Sequence, residues 1–330
     1  MCRTGSVSVI IPHRNRKTLL ARILADLSAQ TLAPAEIIVS DDGSSDGSPE
    51  IARAAGARVI ETGGHGGFSR AVNIGIDAAT SDLIAIVNND VHLAPGWLAA
   101  LVDALGSGDW AFATGKLLQA DSADRIDGAW DAVCRGACAW RCGHGRPDGP
   151  LWNATREIAL VPLTAALFRR DVFHLVGPLD ERFESYLEDV DLAIRCALAG
   201  LRGIYAPHAV AWHKGSATLG RWNRDTVSLI ARNQLFLAAK HYPASLLCRY
   251  AWPILVSQLL WGIVALRHGA GRAYVAGKWA ALRKFRGMRQ ENRTPEQALR
   301  RLLTASEREI FELQRLSGFD WYWKLYFALT

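Results

Sequence analysis

Short apolar runs alternate with amphipathic stretches through the first hundred residues, and this alternation constrains the fold of the chain more than any other feature. Runs of strand length and composition occur at residues 7–11, 37–40, 58–60 and 83–87. Helical spacing of apolar residues occurs between them, at residues 18–28, 49–55 and 68–79. This order predicts an α/β fold with a mostly parallel central sheet and helices on both faces.

Polar segments follow three of these predicted strands, namely Pro12-His13-Arg14-Asn15, Asp41-Asp42-Gly43 and Asn88-Asn89-Asp90. Parallel strands bring their carboxyl ends to one edge, which is where open α/β sheets bind ligands. A carboxylate beside two amides at 88–90 suits a divalent cation held on a phosphate. Arg14 and Arg70 can meet phosphates, and the glycine-rich run 63–67 precedes a helix whose amides face the same edge.

A second polar cluster, Glu188-Asp189-Val190-Asp191, begins the helix predicted at 186–199. The helix dipole favours ionised carboxylates there, so one of them can serve as a general base for a hydroxyl. The alternative is local, because Asp191 and Arg195 have the i, i+4 spacing of an ion pair. His213 follows another predicted strand, and it would complete a metal site if it met Asp90 in space.

Positive charge is concentrated in the last part of the chain. Residues 245–330 hold 14 Lys/Arg against 6 Asp/Glu, whereas the first 244 hold 24 against 26. Residues 250–266 carry no charge, and a helix of this length spans about 26 Å, just short of a bilayer core. Aromatic residues beside Lys324 near the C-terminus suit a membrane interface. We therefore predict a catalytic domain over 1–244 and a helical, membrane-interfacial region over 245–330.

Three other interpretations of the C-terminal region remain open: a helical subdomain packed on the main core, a membrane span, or an RNA-binding tail. Six cysteines form no paired framework and no signal peptide is evident, so we expect a cytoplasmic protein on the inner face of the plasma membrane.

The successive motifs resemble those of family 2 glycosyltransferases with the GT-A fold, a Rossmann-like α/β fold. The resemblance covers residues 5–240 approximately, and within the family it is strongest to bacterial rhamnosyltransferase-type enzymes of surface polysaccharide synthesis. The segments that carry it are residues 7–12, 38–47, 88–91 with 95–98, 177–183, 186–192 and 212–216.

The resemblance implies an inverting hexosyltransferase that moves a sugar, with L-rhamnose a candidate, from a nucleoside-diphosphate donor to a glycan or polyprenyl-linked acceptor. The donor would be a dTDP-, UDP- or GDP-sugar, and the cofactor Mg²⁺ or Mn²⁺. Asp41 would bind the nucleotide base, Asp90 the metal and diphosphate, and His213 the metal. Asp189 would be the catalytic base. Asn88 stands where the family usually has an acid, which removes one negative charge.

The predicted substrate-binding residues lie at the strand ends, in the glycine run and its helix, and at the start of the later helix: Pro12, Arg14, Asn15, Asp41, Gly67, Arg70, Asn73, Asn88, Asn89, Asp90 and Glu188. Two alternatives stay open. The first is a non-catalytic glycan- or nucleotide-binding scaffold, which Asn88 in place of an acid leaves open. A sugar nucleotidyltransferase is disfavoured, because such enzymes usually have a Gly-rich basic loop after the first strand. We expect no nucleic-acid partner.

Overall fold

A computed structural model describes residues 5–215, 222–290 and 294–330 of the chain. Ser216, the last residue of the quoted segment 212–216, lies outside these ranges. The strands are β1 Val7–His13, β2 Glu36–Asp41, β3 Arg58–Glu61, β4 Leu83–Val87, β5 Val91–Leu93, β6 Phe112–Gln119, β7 Ser122–Gly128, β8 Asp131–Val133, β9 Ala139–Arg141, β10 Arg156–Ile158, β11 Ala165–Arg169 and β12 Gly203–His213. The helices are α1 Lys17–Ser28, α2 Ser48–Ala54, α3 Phe68–Ala78, α4 Trp97–Gly106, α5 Asp171–Val176, α6 Glu188–Leu198, α7 Arg224–His241, α8 Ala244–Arg249, α9 Ala251–Arg267, α10 Gly271–Arg289, α11 Glu296–Ser317 and α12 Trp321–Leu329.

The described residues form two compact units, one from 5–130 and 143–215, the other from 131–142, 222–290 and 294–330. The bounds of these units differ from those of the predicted domains, 1–244 and 245–330. Helix α7 belongs to the second unit, and so does the β8–β9 hairpin, which lies far upstream in the sequence. The hairpin joins the helices because its buried backbone groups find partners there, as described below.

The first unit is built on a ten-stranded sheet with the order β10-β12-β6-β11-β4-β1-β2-β3, to which β5 and β7 add on β12 and β6. The parallel arrangement of β1, β2, β3 and β4 is confirmed. The prediction of a mostly parallel sheet is wrong, because β11 enters antiparallel between β4 and β6. Antiparallel pairs also form at β10, β5 and β7, so the sheet is mixed.

Close packing of α3 on the sheet positions the glycine run at the carboxyl edge. A Cβ at Gly75 would lie 2.4 Å from Ile10 Cγ2, closer than real Cβ atoms come, so only glycine allows this approach. On the other side of β1, strand β4 is buried along its whole length. Because β1 and β4 are parallel, the polar residues that follow these two strands lie at the same edge of the sheet.

The second unit consists of the β8–β9 hairpin and helices α7 to α12. Val133 N donates to Ser306 Oγ at 2.7 Å, and Gly136 N donates to the Tyr326 hydroxyl at 3.2 Å. Ser257 Oγ donates to Gly136 O at 2.6 Å. Side chains from α9, α11 and α12 thus satisfy the backbone groups of the hairpin. Within the described ranges, every helix is too short or too polar to cross a bilayer.

Candidate active site

The ends of β1, β2 and β4 meet as the sequence predicts. Register pairs His13 of β1 with Asp41 of β2. The Asn89 amide, which follows β4, donates from Nδ2 to His13 Nδ1 at 2.8 Å. His13 and Asn89 are 2% and 7% exposed, so this contact is buried. Burial lowers the pKa of His13 to about 4, against the attraction of Asp41 and Asp46, and the ring is neutral at physiological pH.

The buried polar atoms at this edge that lack a hydrogen-bond partner within the described ranges include Asp41 Oδ1, Asn88 Oδ1 and His13 Nε2. The other Asp41 oxygen accepts from Ser44 N at 2.9 Å, which orients the carboxylate. Leaving a buried polar atom unpaired costs about 1–3 kcal/mol. Three such atoms from three neighbouring strand ends indicate a site that is completed by a polar ligand.

The glycine run is organised by Asp42, a residue that the sequence did not single out. Its carboxylate accepts from Gly66 N at 2.8 Å, Gly67 N at 3.0 Å and Thr62 Oγ1 at 2.9 Å. Burial alone would raise the pKa of Asp42, but these hydrogen bonds lower it below its usual value. The Gly67 amide is therefore engaged by Asp42 rather than directed to a phosphate, and the role of Gly67 in substrate binding stays a prediction.

The two predicted phosphate-binding arginines flank this loop. Arg14 Nη1 lies 2.9 Å from His65 Nδ1, and Arg70 Nη2 donates to Thr62 O at 3.0 Å. Asn15 follows Pro12 and His13 at the end of β1 and has a φ of +54°. Both guanidinium groups are thus anchored beside the glycine run, where each retains donors for a phosphate.

Two predicted amide ligands serve mainly to position other segments. The Asn73 amide donates to Leu179 O at 2.9 Å and accepts from Leu179 N at 2.9 Å. The Asn15 side chain accepts from Ser45 N at 3.0 Å. Asn73 therefore holds the segment before α6 on α3, and Asn15 holds the loop after Asp41. Contacts of either residue with a substrate stay predictions.

A chain of polar contacts joins Asp90 to the end of β12. Antiparallel pairing sets His213 opposite Val91 of β5, and His213 Nε2 consequently lies 3.4 Å from Asp90 Oδ1. His213 Nδ1 lies 2.7 Å from Asp127 Oδ2, and His144 Nδ1 lies 2.8 Å from Asp127 O. The structure thus brings Asp90 and His213 together, and it adds Asp127 from β7 behind the imidazole.

This arrangement fits a divalent cation in part. Two cis ligands of an octahedral Mg²⁺ lie about 3.0 Å apart, close to the 3.4 Å between His213 Nε2 and Asp90 Oδ1. Metal-binding histidines usually donate their other ring N–H to a carboxylate, the place that Asp127 holds. Burial alone would lower the pKa of His213, but hydrogen bonds to Asp127 and Asp90 raise it to about 9. Within the described ranges no three His, Cys, Asp or Glu side chains are grouped as a metal site.

The segment before α6 has strained backbone. Glu184, Tyr186 and Leu187 have φ values of +62°, +69° and +66°, a region that non-glycine residues rarely adopt. Ser69 N, in the first turn of α3, donates to Glu184 O at 2.9 Å and ties this segment to the glycine run. Such strain persists where the surroundings determine the backbone, and it clusters at functional sites.

Helix α6 then presents its acidic residues in different environments. Asp189 is partly exposed and its Oδ1 accepts from its neighbour Val190 N at 2.8 Å, whereas Glu188 is buried. Asp191 is fully buried and pairs with Arg195 at 3.0 Å. The predicted i, i+4 pair therefore forms in the interior, and Asp189 is the most exposed carboxylate of the cluster. The roles of Asp189 as base and of Glu188 in substrate binding stay predictions.

Comparison with known proteins assigns the chain to a family. Residues 8–174 match the model of glycosyl transferase family 2. The chain belongs to this family. It is 32% identical over 250 residues, 67% of this chain and 80% of the relative, to N-acetylglucosaminyl-diphospho-decaprenol L-rhamnosyltransferase of Mycobacterium tuberculosis. It is 28% identical over 219 residues, 66% of this chain and 44% of the relative, to pre-mycofactocin glycosyltransferase of the same organism.

Solved structures share the fold of this glycosyltransferase. GalNAc-T7 with UDP, GalNAc and Mn²⁺ matches 95% of this chain and 58% of its own, with a TM-score of 0.63 and 15% identity. The mannosyltransferase PcManGT of Pyrobaculum calidifontis, with GDP-Man and Mn²⁺, matches 98% and 86%, with a TM-score of 0.51 and 16% identity. At such identities the likeness concerns the fold alone, which is GT-A-like.

Sequence reasoning missed three residues of this glycosyltransferase's site: His13, Asp42 and Asp127. His13 and Asp42 stand in the quoted strand-end segments, and their burial at 2% and 4% exposure distinguishes them from ordinary turn residues. Asp127 gave no signal, because it lies 86 residues from its partner His213 in a region without clear periodicity.

Proposed function

We propose that this glycosyltransferase moves a sugar, with L-rhamnose the candidate, from a nucleoside-diphosphate donor to a lipid-linked glycan acceptor in cell-surface polysaccharide synthesis. The observation that carries the proposal is the strand edge itself. There Asp41, Asn88 and His13 each have a buried polar atom without a hydrogen-bond partner within the described residues, and Asp90, two residues after Asn88, lies beside His213. The relationship to a rhamnosyltransferase whose name specifies a diphospho-decaprenol acceptor supports this substrate class.

The donor site suits Mg²⁺ or Mn²⁺, and the two structures with a similar fold hold Mn²⁺. Asp90 and His213 would hold the ion, with Asp127 orienting the imidazole. A bound ion would neutralise the negative charge that develops on the leaving diphosphate. With Asn88 in place of an acid, the protein contributes one carboxylate at 88–90, so His213 carries a larger share of the binding.

Asp189 is proposed as the base of an inverting displacement. Asp189 lies in the first turn of α6, where the positive end of the helix dipole favours a carboxylate. The carboxylate takes the proton of the acceptor hydroxyl, whose oxygen forms a bond to the anomeric carbon from the side opposite the diphosphate. The bond from that carbon to the diphosphate oxygen breaks, and the diphosphate leaves with the electron pair.

The test is Asp189→Asn, which keeps the shape of the side chain and removes its basicity. We expect transfer to fall at least about a hundredfold, as for other general bases, with the donor dissociation constant within about twofold of wild type. Asp171→Asn is the matched control, because Asp171 is an exposed carboxylate in the first turn of α5. Transfer is followed by nucleoside-diphosphate release and by mass spectrometry of the product, with dTDP-, UDP- and GDP-sugars as donors.

Activity of Asp189→Asn above a tenth of wild type would show that another group accepts the proton. Release of no nucleoside diphosphate from any donor by the wild-type protein would instead support the scaffold interpretation. The two outcomes are distinguished because donor binding is measured separately from transfer.

The proposal includes attachment of the second unit to the inner face of the plasma membrane. Large apolar side chains are exposed along one stripe of α9, at Trp252, Leu255, Leu259, Ile263 and Leu266, with Leu266 70% exposed. A second stripe on α10 comprises Val275, Trp279 and Leu282. Spacings of three and four residues place each stripe on one side of its helix. Apolar stripes with nearby cations are typical of helices that lie in an anionic membrane surface.

The membrane test replaces Leu255 and Leu259 together by Gln. We expect partition into vesicles containing phosphatidylglycerol to fall at least about tenfold, because the variant lacks two apolar side chains that would be buried in the bilayer. Leu175→Gln is the control, because Leu175, on α5 of the first unit, is even more exposed than Leu255 and Leu259. Sedimentation with vesicles measures the partition. Equal partition of all three proteins would contradict the proposal, and competition by RNA would favour the tail as a nucleic-acid binder.

A further inference from the structure

The second unit contains a cavity of about 460 Å³ whose wall is rich in arginine. Its guanidinium groups come from Arg135, Arg249, Arg300 and Arg308. Arg135 lies in the turn of the β8–β9 hairpin, Arg249 ends α8, and the other two lie on α11. Three separate segments of the chain therefore bring positive charge to one small volume.

Helical periodicity places the α11 residues of the cavity on one side of that helix. Arg300, Thr304, Arg308 and Phe311 line the cavity and follow one another at intervals of four, four and three residues. This spacing keeps side chains on the same side of a helix through three turns. The adjacent Arg301 falls outside the lining, although it has the same charge and is also exposed.

One arginine of the cavity is neutralised by the protein. Arg135 forms an ion pair with Glu307, which also accepts from the Tyr326 hydroxyl at 2.6 Å. Arg249, Arg300 and Arg308 form no ion pair or hydrogen bond with the rest of the described chain. Like charges around one cavity repel, so a bound anion would relieve an unfavourable arrangement. Guanidinium groups match phosphate oxygens in geometry and charge.

The lining of the cavity also includes aromatic side chains. Phe311 and Phe327 line it, and their ring centroids lie 5.1 Å apart in an edge-to-face arrangement. Phe319 extends this cluster at 5.6 Å from Phe311. Phe311 and Phe319 are 39% and 37% exposed, so an apolar surface continues outward from the cavity. The cavity thus combines guanidinium groups with aromatic side chains, and the aromatic cluster reaches the protein surface.

We propose that this cavity binds the phosphate or diphosphate headgroup of a long-chain lipid, with the arginines on the phosphoryl oxygens and the phenylalanines along the first part of the chain. Every residue of this arginine cavity belongs to the second unit, whereas the strand-edge site belongs to the first. The binding site is therefore additional to the donor site. Its identification with the carrier lipid of the acceptor rests on the proposed function, but headgroup binding does not.

The experiment measures binding to the full-length protein without any sugar donor. Inorganic diphosphate is titrated calorimetrically into wild type, into Arg300→Gln/Arg308→Gln, and into the control Arg301→Gln/Lys284→Gln, which has the same net charge. We expect the cavity variant to bind at least about tenfold more weakly, because charge-assisted hydrogen bonds are lost. The control should remain within about twofold of wild type. In wild type, diphosphate should also protect Arg300 and Arg308 from arginine-specific modification, a readout that needs no variant.

A second arm separates a lipid headgroup from free phosphate. Neutral phosphatidylcholine vesicles are prepared with and without a few mole per cent of a polyprenyl diphosphate. We expect the added lipid to increase binding of wild type and of the control at least tenfold, and to leave the cavity variant unchanged. Phe311→Ser should weaken this lipid-dependent binding while its affinity for inorganic diphosphate stays within about twofold of wild type.

Two results would overturn the inference. Equal weakening of diphosphate binding in the cavity variant and the control, or no protection of Arg300 and Arg308, would show that the cavity is not an anion site. Binding of inorganic diphosphate without any gain from the lipid would show that its ligand is soluble. Donor turnover, measured on the same variants, reports on the transferase reaction separately.

Discussion

Asp127→Asn tests whether the carboxylate behind His213 prepares that imidazole for a metal ion. The replaced carboxylate is 6% exposed and its Oδ2 lies 2.7 Å from His213 Nδ1. A hydrogen bond to a charged group contributes about 1.5–3 kcal/mol. Removal of the group that accepts a hydrogen bond from a metal-binding histidine typically weakens metal affinity about 10- to 100-fold. We therefore expect the Mn²⁺ concentration for half-maximal activity to rise by that factor, with kcat at saturating Mn²⁺ changed only a few-fold.

The assay is nucleoside-diphosphate release as a function of Mn²⁺ concentration at saturating donor. Asp124→Asn is the matched control, because Asp124 lies on the same strand β7 with its side chain exposed. Urea unfolding of both variants shows whether the change is confined to the site. An unchanged Mn²⁺ requirement in a folded Asp127→Asn variant would refute the reasoning, since His213 would then need no carboxylate behind it.

Two further predictions concern backbone and protonation at the strand edge. Gly67→Ala should lower the free energy of unfolding, measured in urea, by about 1–2 kcal/mol. The reason is that Gly67 has a φ of +85° and that a Cβ there would lie 3.2 Å from Glu184 O. The control Gly96→Ala, at a helix start with open space and a φ of −94°, should change this free energy by less than about 0.5 kcal/mol. Wild type should lose about 2 kcal/mol more than His13→Gln between pH 7.5 and pH 5, because the buried ring has a pKa of about 4 whereas the unfolded chain binds the proton near pH 6.5. A parallel pH dependence of the two proteins would contradict the neutral state of the His13 ring.

Most elements of the first hundred residues follow from local pattern, and so does α6, which matches the helix predicted at 186–199. The strands between residues 106 and 160 do not. Strand β4 has the predicted bounds, Leu83–Val87, because burial on both sides produces a continuous apolar run. Strand β6 was missed, since its sequence includes Gly115 and Lys116. Lys116 is buried because Asp148, 32 residues away, neutralises it at 2.8 Å. A charge that is buried by a distant partner leaves no trace in local hydrophobicity.

The site shows the same limit. Convergence of the parallel strand ends could be predicted, because it depends only on strand direction. The contact between Asp90 and His213 depends on the antiparallel register of β5 and β12, which no local pattern specifies. Likewise, Asp41 and Asp42 are adjacent in sequence but face different partners. One keeps an oxygen unpaired in the site, and the other binds the glycine-run amides.

The hairpin of residues 131–142 has a consequence for how the protein forms during synthesis. The backbone N–H groups of Val133 and Gly136 donate to the side chains of Ser306 and Tyr326, which lie 173 and 190 residues later in the sequence. The hairpin therefore leaves the ribosome long before the helices that cover it, and its buried cysteines and Trp140 remain exposed in the nascent chain. Shortening the protein from its C-terminal end would leave this hairpin uncovered, so the two units are inseparable by a single cut although each has its own core.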